Sequence, residues 1–373
     1  MNWKRKYVVA MAALMLLVPA AEAQKLKVGV MLPLHDINGD GRRMVEYYRG
    51  LLMGCDSLRK TGVDIDVHAW NTFEDINMSS LLSDPAAAKC DVIIGPLYSK
   101  QMPELSSFTK KHNIKLFIPF SIEAPQTATN ANIMQVYQSP SEQTDLVVSR
   151  FVKKFADCHP VFIDCNDSTS KKGPFTKAMR SRLEEEGLDY NLTSLKSPEE
   201  NFQKAFSRRQ TNVVILNTAR SPELNVAFAK LNGLTTHYPD VKIIMFGYTE
   251  WLMYTKHQLD NFYRFNTYIP STFFYNPLTT LTSHIEQKYR WNFHQDMQLA
   301  LPRFAITGFD HAMFLLKGMC KHGKKFNGAE GSSDYVPAQT PLRFERNGNG
   351  GWKNRQVLFV HYMPEHRVET IKY

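Results

Sequence analysis

Apolar runs of five to seven residues, each followed by a polar turn and then a stretch with helical spacing, repeat along most of this chain. The first run is KVGVMLPL (27–34). Behind it Met44, Tyr47, Tyr48, Leu51, Leu52, Cys55 and Leu58 recur at intervals that place them on one face of a helix over 42–60. DIDVHAW (64–70), CDVIIGPLY (90–98), IKLFIPFS (114–121) and ANIMQVYQS (131–139) give four more strands, with a helix over 102–112 before IKLFIPFS. The rhythm restarts with a helix over 141–156, the strand HPVFID (159–164) and a helix over 174–186 closed by Gly187. DYNLTSL (189–195), a short helix near 200–208, NVVILNT (212–218), a helix across 222–232 and VKIIMFGY (241–248) complete it.

Continuous apolar strands separated by helices predict parallel strands covered on both faces, hence an α/β fold of open, doubly wound sheets. The last third is less regular. RFNTYIPSTFFY (264–275) reads as a strand, with helices over 278–292 and 302–320. The segment from Thr340 reads as antiparallel strands joined by the turn Asn347 to Gly351.

The N-terminus has a different pattern. Lys4, Arg5 and Lys6 precede a mostly apolar run from Tyr7 to Ala20 and the small-residue site Ala21-Glu22-Ala23, which predicts a secretory signal peptide over 1–23. The run is shorter than the roughly 20 residues needed to span a bilayer, and no cysteine follows to carry a lipid anchor. The expectation is a soluble, exported, periplasmic protein. About 350 residues remain, more than one hydrophobic core normally supports, so two lobes are expected.

Taking Lys4, Arg5, Lys6 and Glu22 from the 45 basic and 36 acidic residues leaves 42 and 35, a net charge of +7. The positives are dispersed in pairs such as Lys110-Lys111 and Lys324-Lys325, without the clustering that phosphate neutralisation requires, so nucleic acid is excluded as a partner. Of the five cysteines, Cys158 and Cys165 flank an extended strand that would hold them about 20 Å apart, beyond disulfide reach. Cys55 and Cys90 could approach one another, but buried thiols are the expectation there.

No GxGxxG, GxxxxGK[ST], GxSxG or HExxH motif is present, so neither an enzyme nor a bound cofactor is expected. Asp36-Ile37-Asn38-Gly39-Asp40-Gly41 opens like a calcium loop, but its twelfth position is Tyr47 and Glu46 falls one place early. A polar turn is the simpler reading, and no metal is expected. In open α/β sheets the binding crevice lies beyond the carboxyl ends of the strands. The residues there are His35, Asp36, Asn71, Tyr98, Ser99, Phe120, Ser121 and Glu123 in the first half. Asn166, Arg220, Tyr248, Glu250 and Trp251 come from the second. Hydroxyls, amides, a few charges and aromatic faces suit a cleft for a small polar molecule.

The order of VGVMLPL, CDVIIGPLYS, IKLFIPFS, FAITGFDHAMFLLKGM and LRFERNGNGGWKNRQVLFVHY resembles type I periplasmic binding proteins of the leucine/isoleucine/valine-binding kind, over essentially the whole chain after the leader. The resemblance implies two Rossmann-like lobes joined by three crossovers and closing on a ligand. By that analogy 24–138 plus 250–334 form one lobe and 139–249 plus 335–373 the other. It further implies capture of an amino acid, peptide or related molecule for an inner-membrane ABC permease by a monomer or weak dimer. Ser99 matches the family serine that holds a ligand carboxylate, and Glu250 roughly matches the acid that holds the ammonium. The fourth-strand turn departs from the family's Ser-Pro-x-x-Thr, reading Pro119-Phe120-Ser121-Ile122-Glu123, and Glu123 would repel a carboxylate. Arg220 replaces a residue that is often aromatic and could bind an anion. The alternative is an envelope scaffold or regulator similar to activators of peptidoglycan synthesis, which use the same fold without transport.

Overall fold

The computed structural model describes residues 25–121 and 123–373, and the leader expected over 1–23 lies outside them. Among the described residues, fourteen strands form two seven-stranded sheets. The first contains β1 (Leu26–Leu32), β2 (Ile65–Asn71), β3 (Val92–Ile94), β4 (Lys115–Ile118) and β5 (Ile133–Gln135), joined later by β11 (Phe344–Arg346) and β12 (Trp352–Asn354). The second contains β6 (His159–Asp164), β7 (Asn191–Ser194), β8 (Asn212–Leu216), β9 (Ile243–Phe246) and β10 (Thr267–Ser271), completed by β13 (Leu358–Met363) and β14 (Arg367–Lys372). β1 to β5 pair only in parallel, as do β6 to β10 among themselves. Antiparallel pairing is confined to the late strands: β11 on β12, β13 on β10, and β14 on β13.

The longer helices are α1 (Gly39–Arg59), α2 (Met102–Lys111), α3 (Pro140–Lys154), α4 (Gly173–Glu185), α5 (Ser221–His237), α6 (Thr255–Arg264), α7 (Thr280–Phe293) and α8 (Phe304–His322). On the first sheet the predicted face of α1, Met44 through Leu58, packs with Ala312, Leu315 and Met319 of α8; Met102 and Leu105 of α2 cover the other side. On the second, Leu224, Phe228 and Leu231 of α5 and Phe262 of α6 cover one face; Val148 and Phe151 of α3 and Met179 of α4 cover the other. Burial on both faces is why the inner strands such as β1, β3, β4 and β8 lack polar alternation, whereas the edge strands β2 and β7 are partly exposed. α1 and α8 cross closely because glycine lies at the contact. A Cβ on Gly50 would stand 1.8 Å from the Ala305 carbonyl oxygen, and one on Gly308 2.0 Å from that of Tyr47.

The sheets divide the chain differently from the expected lobe boundaries. Residues 250–271 were expected in the first lobe, but β10 lies between β9 and β13 in the second sheet, and Trp251 and Phe262 are in its core. The segment from 335 was expected wholly in the second lobe. Instead the β11–β12 hairpin sits beside β5 of the first sheet, and only β13 and β14 join the second. The physical reason is edge completion: β5 and β10 each gain a late strand as neighbour, and the segment divides to serve both. α6 was not expected at all.

Candidate functional site: the carboxyl ends of the two sheets

In the first lobe, turns after four strands are tied together. Asn71 accepts the Leu34 backbone N–H at 2.7 Å, fixing the turn after β1 to the end of β2. His35 stacks on Phe73, with ring centroids 5.1 Å apart and planes 8° from parallel. Its other side meets Gly41, where an added Cβ would fall 2.2 Å from Nδ1. Asn38 caps α1 by accepting from the Gly41 N–H at 2.8 Å, and Asp40 pairs with Arg43 at 2.6 Å. The calcium-like run is therefore a capped helix start, with Asp36 exposed at its edge.

The turns after β3 and β4 meet through hydroxyls. Ser99 Oγ lies 2.8 Å from Ser121 Oγ, and Ser121 is buried while Ser99 is half-buried. Tyr98 stands beside them, its phenol pushed to higher pKa by burial and by the nearby Asp40 and Glu74. Phe120 turns inward, edge-on to Tyr47 at 5.0 Å and near Phe304 at 5.7 Å, so it serves as apolar floor. Glu123 is exposed and makes no hydrogen bond or ion pair among the described residues.

In the second lobe the strand-end polar groups satisfy one another. Asp164 accepts from the Asn166 N–H and from Asn217 Nδ2, each at 2.8 Å, and Asn166 Oδ1 accepts from Ser194 at 3.0 Å. Asn166 sits at φ 56°, a left-handed conformation that asparagine tolerates. Asp167, which the sequence reading passed over, is the hub. It accepts from the Thr169 and Thr218 hydroxyls, each at 2.7 Å, which with the Thr169 N–H and Arg220 hold its carboxyl at about 2. Arg220 Nη1 reaches Asp167 at 3.3 Å and Thr169 at 3.0 Å, so its charge is already engaged. Lys172, also passed over, pairs with Glu250 at 2.7 Å and lies 4.7 Å from the Tyr248 ring centroid. A Ser/Thr-rich turn directly after a strand, Asp167 to Ser170, was the available signal for both residues.

Two expected site residues are core residues instead. Tyr248 is buried and donates to the Leu216 carbonyl. Trp251 is fully buried and stacks on Phe262, because Gly247 leaves room for its indole. An apolar residue soon after a strand can turn back under the sheet as readily as outward. The remaining candidates form two separate sets, one per lobe, and no hydrogen bond joins them among the described residues. Where the lobes meet beside Phe120 and Tyr137, only about 20 Å³ remains against Thr272, Phe273 and Asn354.

Two such lobes, each a mostly parallel sheet with its strand ends at the crossover side, constitute the fold of the type I periplasmic binding proteins. No protein-family model matches the chain, and neither does any curated protein. Solved structures do. One from Rhodospirillum rubrum, assigned as a branched-chain amino acid ABC transporter, is 12% identical with a TM-score of 0.59, covering 93% of this chain and 100% of its own. A branched chain amino acid ABC transporter periplasmic ligand-binding protein from Burkholderia xenovorans is 12% identical at TM-score 0.51, covering 93% and 94%. An ABC transporter substrate-binding protein from Sphaerobacter thermophilus is 11% identical at 0.50, covering 94% and 97%.

Proposed function

We propose that this chain is an exported, periplasmic solute-binding protein that captures a small polar ligand between its lobes, for delivery to an ABC permease, without catalysis. The carrying observation is the Ser99–Ser121 hydroxyl pair at the carboxyl ends of adjacent strands β3 and β4. Two hydroxyls can redirect their hydrogens toward an incoming acceptor without leaving a buried group unsatisfied. Exposed, unpaired Glu123 beside them favours a ligand with a cationic or donor group over a simple carboxylate.

Specific binding to the native state raises the melting temperature. A thermal-shift screen against amino acids, peptides, polyamines and cell-wall fragments should yield a hit that Ser99→Ala and Ser121→Ala weaken. A hit indifferent to both would remove the proposed site. The self-satisfied network of Asp164, Asp167, Asn217 and Arg220 favours a second reading, an envelope scaffold whose second lobe carries no ligand-facing groups. That reading predicts no small-molecule shift at all.

A further inference from the structure

A groove of about 780 Å³ runs beside α6 in the second lobe toward the segments that lead into α7 and α8. Leu259 and Tyr263 of α6 face Tyr362 of β13 and Val368 of β14 across it. Phe273, Phe274 and Tyr275, which follow β10, continue the wall to Leu301. The volume falls within the roughly 300–1,000 Å³ usual for small-molecule sites. Three large apolar side chains stand at its mouth, Met253, Leu278 and Leu299, at 59%, 91% and 95% exposure. Apolar exposure concentrated around one concavity marks a binding surface.

The charged side chains lining this groove, Lys256 and Arg303, are basic, with His366 beside them; carboxylates stand only behind the wall, Glu286 accepting from the Tyr275 hydroxyl at 2.6 Å and Glu46 near Arg303. Lys256 has no ion-pair partner among the described residues. Arg303 lies over the Tyr275 ring at 4.9 Å and donates Nη1 to the Gln298 carbonyl, but its Nε is buried without a hydrogen-bond partner. A guanidinium charge set in an otherwise apolar, aromatic wall is the group there that a carboxylate would complement.

We propose that this groove is a second ligand site, distinct from the strand-end cleft, for an amphipathic monocarboxylate. The apolar body would lie along α6 and the carboxylate would meet Arg303. Because α6 belongs to the second lobe while Leu299 to Arg303 lead into a helix of the first, the occupant would touch both.

The test is calorimetric titration of the purified protein with dodecanoate and, separately, dodecyltrimethylammonium, which has the same chain and the opposite charge. Dodecanoate should bind saturably at one site, at least about tenfold more tightly than the ammonium. Arg303→Met should weaken it about tenfold. Met253→Asp, at an exposed position where folding is unaffected by circular dichroism, should abolish it. Equal affinity for both amphiphiles would overturn the proposal, as would full binding by Met253→Asp. So would a concentration-dependent dimer that Leu299→Asp dissolves and dodecanoate does not, since a second copy would then be the groove's occupant.

Discussion

The Tyr47 phenol lies 3.0 Å from His311 Nδ1, joining α1 to α8 inside the first lobe. His311 is 1% exposed, and burial pushes its imidazole down to about 3. The unfolded chain therefore binds one more proton than the folded one between pH 3 and about 6.5, and this group's contribution to stability rises with pH across that window. His311→Leu should flatten the slope by roughly 1 kcal/mol per pH unit between 3 and 6.5, read from urea unfolding at several pH values. Parallel curves for the two proteins would show that His311 does not titrate as its burial requires.

Its neighbour Asp310 works in the opposite sense. Burial raises this carboxyl to about 6, against the pull of four donors: the Tyr335 hydroxyl at 2.6 Å and the backbone N–H groups of Ala338, Gln339 and Thr340 at 2.7 to 2.8 Å. Those donors anchor the 335–340 segment to α8. Asp310→Ala strands three buried or half-buried N–H groups and should cost about 3–5 kcal/mol, with faster proteolysis within 335–340. A loss below 1 kcal/mol would mean that the segment is held by other contacts.

Glycine substitutions separate close packing from helix propensity. Gly308→Ala places a methyl against the Tyr47 carbonyl and should destabilise by about 1–3 kcal/mol or abolish folding. Gly233→Ala in α5 meets nothing within 4 Å and should stabilise by up to about 1 kcal/mol. Equal effects at the two positions would contradict the α1–α8 crossing described above.

Glu142 crosses from one lobe to the other. It forms a capping box with Ser139 at the start of α3 and meets Lys353 of β12 at 2.7 Å and Arg355 at 3.3 Å. Partial burial opposes its ionisation, but Lys353 and the Ser139 donors outweigh this and hold it at about 2. Stability from this group is complete above about 4.5 and lost as pH falls toward 2. Glu142→Gln should therefore lower stability at pH 7 by roughly 1–3 kcal/mol and leave it unchanged near pH 2. A deficit that persists at pH 2 would assign the effect to packing.

The strands and most helices were legible because burial on both sheet faces writes itself as unbroken apolar runs. α6 was missed because Thr255 to Arg264 buries Phe262 as its one large apolar anchor, with Leu259 and Tyr263 only partly buried, and has no side-chain cap. The lobe boundaries were misread because pairing partners of late strands are non-local: nothing within Trp352 to Asn354 specifies Met134 and Gln135 as neighbours. At the strand ends, residue type named Ser99 and Ser121 singly; that their hydroxyls meet followed only from the folded strands. Residue type did not distinguish an outward aromatic from one folded beneath the sheet, as Trp251 is, nor did it reveal that Arg220 is engaged by Asp167.

The division of the late strands bears on biogenesis. An intermediate released before residue 344 would lack β12 beside β5 and β13 beside β10, leaving an open edge on each sheet at once. Open strand edges recruit other chains. Truncated or stalled products should therefore aggregate through both lobes, and the nascent polypeptide has reason to depend on a chaperone until its final strands emerge.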